Sequence, residues 1–200
     1  MPHDMGSLTK IANVRTETFW GELKPSEHSV QIYGSETIFM DALEGYASAG
    51  LRRRESVILI STAPHLHELE KRLRANWLDL DRARWEGRYM ALLAHEILSR
   101  FMVDGMPDET LFNSAVGTIL ERARGPEKRA VRAFGEMVAL LWKEGNCAGA
   151  MALERLWNKS QAVAQFPLFC AYPRECFEDE SSTSIRLVCA AHSRVIPGYA

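Results

Sequence analysis

The sequence lacks the features that mark several large classes of protein. Its apolar runs fall well short of the ~20 residues that a membrane-spanning helix needs, which argues against an integral membrane protein. No basic segment followed by an apolar one opens the chain, so we expect no secretory signal. The 24 Lys and Arg residues nearly balance the 26 Asp and Glu residues, for a formal charge of −2. Proteins that bind nucleic acid directly usually carry a basic face, so this balance argues against direct binding.

Cysteine is scarce too, with four residues in 200 and no C-x-x-C pair. Cys170 lies in an apolar run typical of a strand and Cys189 in one typical of a helix, where a free thiol behaves as a small apolar side chain. Because no export signal is visible, we interpret all four cysteines as reduced, buried thiols and expect a cytoplasmic protein.

The remaining composition is that of one globular domain. Hydrophobic residues make up 46% of the chain and charged residues 25%. Two hundred residues can bury about 70% of the surface of the unfolded chain, enough for one core. We expect an N-terminal extension over residues 1–26, which show no sustained periodicity, and one domain over 27–197. Internal repeats and low-complexity segments are not evident.

Short apolar runs alternate with helical stripes five times, which predicts an α/β fold: a three-layer sandwich with a mostly parallel central sheet. The predicted strands cover 28–33, 56–61, 88–93, 130–134 and 167–172. Ser35 is the predicted N-cap of the first helix and Gly50 its end. Residues 77–86 read as a polar connector and 94–102 as a helix.

In a parallel sheet, ligands bind beyond the carboxyl ends of the strands, where the strand order reverses. The segments expected at that edge are 34–37, 62–67, 94–96, 135–137 and 173–177. We therefore expect a functional site to be built from some of these five segments.

Six stretches of the chain resemble the MEDS domain, a sensory domain named for methanogens, methylotrophs and the dichloromethane-responsive repressor DcmR. They read HSVQIY, LRRRESVILISTAPH, GRYMALLAHEILSRFMVDGMPD, RAFGEMVALLWKEG, LERLWN and FPLFCAYP, and together they extend over residues 28–173. The resemblance implies a domain found alone or fused to histidine kinases and DNA-binding regulators. It also implies sensing of a small molecule such as a hydrocarbon derivative.

The family is also similar to the RecA and KaiC ATPases in the order of its elements. A working phosphate loop reads G-x-x-x-x-G-K-[ST], with backbone N–H groups and one Lys around the phosphates. The corresponding turn here, 33–37, has one Gly and no Lys, and Glu36 would repel a phosphate. We therefore expect a degenerate loop that does not hydrolyse ATP. The helix start could still hold a small anion or a polar ligand group, or Ser35 could simply cap it.

Two positions depart from the family pattern. Arg54 stands where a Gly before Glu55 is usual. Leu93-Ala94-His95 stands where Leu-Asp-Ala is usual, so an acidic group at the end of the third strand is missing. If that Asp contacts ligand in relatives, this protein binds a different ligand or none.

The candidate binding residues are polar side chains at the predicted strand ends. The resemblance favours His28 and His65 as polar groups of a pocket. Glu136 reads either as a ligand contact or as a carboxylate that interacts with a helix dipole. The full set of candidates is His28, Tyr33, Ser35, Glu36, Thr37, Thr62, His65, His95 and Glu136.

Catalytic and metal sites are not expected. His65 and His67, with His95 or Glu96, have residue types suited to a metal. However, His-x-His on a helix directs the two side chains about 200° apart, so we expect one to pack at the strand end and the other to face solvent. We predict no metal, no cofactor and no catalytic residue, and a G-x-S-x-G nucleophile motif is absent.

Two interior features have structural explanations. Trp142, Trp157, Met137 and Met151 could line a cavity, but residues of these types at helical spacing are more often core. Arg132 lies inside a predicted strand, and a buried guanidinium is costly without a partner. We expect it to pair with a carboxylate such as Glu136 or Glu154.

Together these features favour a non-enzymatic sensory domain that binds a small ligand or a partner protein. Arg52, Arg53 and Arg54 lie on a predicted turn, as a solvated cluster or as a docking patch for an acidic surface. Because no kinase or helix-turn-helix motif occurs before Ala200, we expect action in trans on a histidine kinase or response regulator, or self-association. The alternative is residual nucleotide binding or weak ATPase activity of the RecA/KaiC type.

Overall fold

A parallel sheet organises the residues that the computed structural model describes, namely 20–21, 23–177 and 182–198. Within these ranges six strands pair in the order β3-β2-β6-β7-β1-β8, every neighbouring pair parallel. They are β1 (His28–Tyr33), β2 (Ser56–Ser61), β3 (Tyr89–Leu93), β6 (Val131–Gly135), β7 (Leu168–Pro173) and β8 (Arg194–Ile196). A separate hairpin joins β4 (Met102–Val103) to β5 (Met106–Pro107). The α/β sandwich is confirmed, with a sheet that is wholly parallel.

Helices cover both faces of this sheet. In chain order they are α1 (Glu36–Arg52), α2 (Ala63–Ala75), α3 (Leu80–Trp85), α4 (Ala94–Leu98), α5 (Glu109–Arg124), α6 (Met137–Lys143), α7 (Cys147–Ala164) and α8 (Ser182–Ala190). The first three pack into one hydrophobic core and the last five into the other. The central strands are buried on both sides, which explains their continuous apolar runs.

The two helices that follow β2 and β6 leave the sheet on opposite sides. Leu66 of α2 lies in one core and Val138 of α6 in the other, although β2 and β6 are neighbours. Such divergence opens a crevice at the carboxyl ends of the strands. This topology places a cleft at the carboxyl ends of β2 and β6.

The predicted N-cap of the first helix is confirmed. Ser35 caps α1 and its hydroxyl accepts a hydrogen bond from Ile38 N at 3.4 Å. Thr62 is the N-cap of α2 without a side-chain bond, and Pro64 lies in the first turn, where its missing N–H costs nothing.

The predicted end of α1 at Gly50 is wrong, because the helix continues to Arg52. A Cβ atom at Gly50 would lie 2.6 Å from the Arg132 side chain, so this glycine permits close packing. The chain turns instead at Arg54, whose φ is 61°. Glycine adopts that conformation without strain, whereas an arginine there has a backbone cost.

Three other elements differ from prediction. The helix predicted over 94–102 ends at Leu98, and the Asp104-Gly105 turn, with φ of 49° and 78°, closes the β4–β5 hairpin. The predicted polar connector contains α3, which buries only Leu80 and Ala83. No strand was predicted over 194–196, where β8 pairs with β1.

Arg132 pairs with Glu55 and not with Glu136 or Glu154. Its Nε lies 2.5 Å from Glu55 Oε2, and its Nη1 donates to Tyr46 O at 2.9 Å. Side chains alternate across a strand, so Arg132 lies on the α1 side of the sheet and Glu154 lies behind the other face. Trp142, Trp157 and Met137 are core residues, and the partly buried Met151 packs against them, as expected.

Candidate functional site

A cleft of about 640 Å³ opens at the carboxyl ends of β1, β2, β6 and β7. Four of the five expected segments contribute to it, and 94–96 does not. Its lining consists of Tyr33, Gly34, Ser35, Glu36, Thr62, Pro64, His65, Glu136, Ala139, Leu140, Lys143, Pro173, Arg174 and Glu175. The lining therefore combines an apolar wall with a group of ionisable side chains.

His65 lies between two carboxylates in this cleft. Its Nε2 is 2.5 Å from Glu36 Oε1, and its Nδ1 is 2.8 Å from Glu136 Oε1. The side chain of Glu36 is 58% exposed and that of Glu136 only 8%. The histidine thus joins a fixed inner carboxylate to an outer one in contact with solvent. We call Glu36, His65 and Glu136 the cleft triad.

Glu136 is held in place from behind. Ser61 Oγ donates a short hydrogen bond to its Oε2, and Thr62 N donates to the same oxygen at 3.0 Å. The backbone N–H of Glu136 donates to Ile60 O at 2.9 Å. Glu136 therefore bridges the ends of the neighbouring strands β2 and β6, a tertiary role that goes beyond the predicted helix-start carboxylate.

The cleft triad favours a protonated, charged His65. Burial opposes a charge on the ring, but the carboxylates of Glu136 and Glu36 outweigh it and raise the pKa of His65. Burial also opposes the charge of Glu136, yet His65 and the bonds from Ser61 and Thr62 lower the pKa of that carboxyl. One imidazolium between two carboxylates gives the cleft triad a net negative charge, which Lys143, Arg174 and Glu175 elsewhere in the lining bring back to a formal balance.

Six of the nine candidate binding residues line the cleft, and three do not. Thr37 lies in an adjoining shallow groove with Met40 and Arg72. His95 is exposed in the first turn of α4. His28 is buried at the start of β1, whose other end reaches the cleft. His67 faces solvent while His65 packs at the strand end, as the spacing predicts.

Sequence reasoning missed a second group, which we call the buried cluster: His28, Glu154, Cys170 and His192. One donor atom from each lies within 4.8 Å of the others. His28 belongs to β1, Cys170 to β7 and Glu154 to α7, and His192 follows α8. The signal in the sequence was Glu154, a glutamate within the apolar stripe of α7. Its side chain is fully buried in the structure.

Burial shifts the pKa values in the buried cluster in the directions opposite to those in the cleft triad. It lowers the pKa of His28 to about 4 against the attraction of Glu154. It also lowers the pKa of His192 to about 4. Burial raises the pKa of Glu154, to whose Oε1 Tyr172 Oη donates a hydrogen bond at 2.6 Å.

The predicted basic turn lies at the far end of α1. Arg52, Arg53 and Arg54 are exposed, and Arg52 donates to Asn76 O at 3.4 Å. Trp77, which follows Asn76 in the chain, is 95% exposed. Arginine and tryptophan are the residue types most enriched at the centres of protein interfaces.

The fold is an α/β domain whose strand ends surround a cleft with a few convergent polar groups, an arrangement that many binding pockets share. The family model described as MEDS, the methanogen/methylotroph DcmR sensory domain, matches residues 27–192. The chain therefore belongs to the MEDS family of sensory domains, as the sequence resemblance implied. A comparison with curated protein sequences found no match. Among the described residues no helix combines the length and the apolar character of a membrane span.

Proposed function

We propose that this chain is a non-enzymatic sensor that binds a small molecule in the cleft and acts in trans on a regulatory protein such as a histidine kinase. The observation that carries the proposal is the cleft triad at the carboxyl edge of the sheet. The charged His65 and its carboxylates would bind a polar group of the ligand. The wall formed by Pro64, Leu140 and Pro173 would accept a short hydrocarbon portion.

The arrangement of α1 suggests how binding could be transmitted. Its first residue, Glu36, contacts His65 in the cleft, and its 17 residues end at the basic turn. A helix of this length spans about 25 Å. A ligand that replaces Glu36 at His65 would act on one end of a helix whose other end carries Arg52–Arg54. We propose that an acidic surface of the regulatory partner docks on those arginines.

The β1–α1 connection supports ligand binding without hydrolysis of a nucleotide. Only Gly34 and Ser35 separate β1 from α1, and Ser35 Oγ already caps the helix. The next side chain, Glu36, carries the wrong charge for a phosphate. Catalysis of phosphoryl transfer depends on positive groups around the phosphates, so we do not propose an ATPase.

Binding can be tested by amide NMR spectra of nitrogen-labelled protein titrated with methanol, n-butanol, propylene glycol, butylamine or Mg·ATP. We expect at least one of the four organic probes to cause saturable shifts of cleft residues, and Mg·ATP to cause none. The His65→Gln variant should weaken the response at least about tenfold, since it removes the central charged group. His67→Gln, an exposed histidine on the same helix, is the matched control and should keep it. Equal responses in both variants, or saturation by Mg·ATP alone, would contradict the proposal.

A further inference from the structure

We propose that the buried cluster is a metal site, in which His28, Glu154, Cys170 and His192 bind one Zn²⁺ ion. The site is separate from the cleft and from the proposed sensing function. Two imidazole nitrogens, a thiolate sulfur and a carboxylate oxygen are the ligand types that zinc takes in proteins. The four residues come from two strands, a helix and the segment that leads into β8.

Three contacts between potential ligand atoms, two of them to different oxygens of Glu154, are close to the spacing around a tetrahedral ion. His28 Nε2 lies 3.3 Å from Cys170 Sγ and 3.6 Å from Glu154 Oε2, and His192 Nε2 lies 3.4 Å from Glu154 Oε1. Zinc–ligand bonds of about 2.0–2.3 Å in tetrahedral geometry place neighbouring donors about 3.3–3.8 Å apart. All four ligand atoms lie within 4.8 Å of one another, so the widest pair would have to close by about 1 Å at most to surround the ion.

Neighbouring groups already orient both imidazoles for metal binding. His192 Nδ1 lies 2.7 Å from Val188 O, and a carbonyl oxygen only accepts, so Nδ1 carries the proton. His28 Nδ1 lies 2.8 Å from Asn158 Oδ1, while Asn158 Nδ2 donates to Ala191 O at 2.9 Å. Each ring therefore directs the lone pair of Nε2 into the cluster. Protein zinc sites fix their histidines in the same way.

The interior of the cluster has more acceptors than donors. Glu154 Oε2 and His192 Nε2 are buried and have no hydrogen-bond partner within the part of the chain that the structure describes. Buried polar atoms without a partner are costly. A cation bound by both lone pairs would remove that cost at both atoms.

Four protein ligands and complete burial make this a structural site, since a catalytic zinc keeps one position open. Binding would convert the Cys170 thiol to a thiolate, and its proton would pass to solvent with any proton held by Glu154. His192 lies two residues before β8, and Ser193 N donates to His28 O at 2.9 Å. The ion would therefore fasten the last strand of the sheet to β1.

The test is refolding of the purified full-length protein with Co²⁺ or Zn²⁺ and removal of excess ion. We expect about one equivalent of metal per chain, as a single four-ligand site requires. The cobalt form should show a thiolate-to-cobalt charge-transfer band in the near ultraviolet and tetrahedral d–d bands in the visible. Elemental analysis of protein purified without added metal should also find zinc.

Variants separate this site from other metal binding. Cys170→Ser should abolish the charge-transfer band, while Cys176→Ser, a half-buried thiol outside the cluster, should keep it. Asn158→Ala, which leaves all four ligands in place, should weaken zinc binding about 10- to 100-fold. His65→Gln should not change the affinity. Wild-type protein that refolds without retaining metal, or a band that survives Cys170→Ser, would overturn the proposal.

Discussion

The cleft triad and the buried cluster both bring histidine and glutamate side chains into contact, yet the pKa values of these groups shift in opposite directions. In the cleft, His65 lies between two carboxylates and its pKa is raised. In the buried cluster, two histidines share one carboxylate, and the pKa of each histidine is lowered to about 4. Residue identity therefore does not decide whether a His–Glu contact is an ion pair. Whether such a contact is an ion pair depends on how many carboxylates contact each ring and on how deeply the ring is buried.

The physical reason is the balance between desolvation and charge pairing. Removing a charge from water is costly, and a single partner repays that cost only in excellent geometry. Glu136 has such geometry, because Ser61 Oγ and Thr62 N both donate to it. Among the described residues, Glu154 accepts one side-chain hydrogen bond, from Tyr172 Oη, and burial raises its own pKa.

The largest difference between the regions should come from removal of a carboxylate. Glu154→Ala leaves a cavity and an unsatisfied Tyr172 hydroxyl, and should lower the free energy of unfolding by about 3 kcal/mol. Glu36→Ala removes a largely exposed partner of His65 and should cost less than about 1 kcal/mol. Urea unfolding in the presence of a chelator measures both values without a contribution from bound metal. Similar losses would remove the contrast between the two regions.

A smaller effect isolates one hydroxyl in each region. Tyr172→Phe removes the hydrogen bond to Glu154 and should lower the free energy of unfolding by about 1–2 kcal/mol. Tyr33→Phe keeps the ring stacked on Phe39, with centroids 4.7 Å apart, and removes only a cleft hydroxyl. We expect that change to stay within about 0.5 kcal/mol. The same urea experiment gives both values, and a costly Tyr33→Phe would show that the cleft is more tightly ordered than we infer.

The smallest effect is a pH dependence specific to the cleft. Because the folded protein raises the pKa of His65 above its usual 6.5, the ion pairs stabilise the fold fully below about pH 6.5. That stabilisation is lost as the pH rises through the raised pKa. Wild type should exceed His65→Gln by about 1 kcal/mol or less near pH 6, where the ring is protonated and the carboxylates are still ionised, with the difference shrinking toward alkaline pH.

The measurement for this prediction is the midpoint of urea unfolding at a series of pH values. His67→Gln is its control and should follow the wild-type profile. A difference between wild type and His65→Gln that grows with rising pH would mean that His65 is neutral in the fold.

Much of the fold was predictable because the signals lie in short segments. The run SVILIS is apolar at consecutive positions, as a strand covered on both faces must be, and it forms β2. The elements missed had weak local signals. Only two residues of α3 are buried, and β8 is a three-residue strand at the edge of the sheet.

The cleft was predictable as a region, but its chemistry was not. Strand ends meet at one edge of a parallel sheet, so Glu36, His65 and Glu136 could be named as candidates. That both carboxylates contact one ring depends on how α1 and α2 begin, which no spacing shows. For Arg132, the need for a carboxylate was correct, and the choice of Glu55 followed from which face of the sheet its side chain occupies.

The sequence by itself determined that strands and helices alternate and that the chain belongs to a family of sensory domains. Those properties depend on sequence patterns within short segments, and each segment contains its own pattern. The tertiary structure alone decided that His28, Glu154, Cys170 and His192 meet, since they are distant in the chain and come together only through strand order and helix packing. It also decided in which direction the pKa of each of these histidines shifts, because desolvation depends on everything that surrounds a ring.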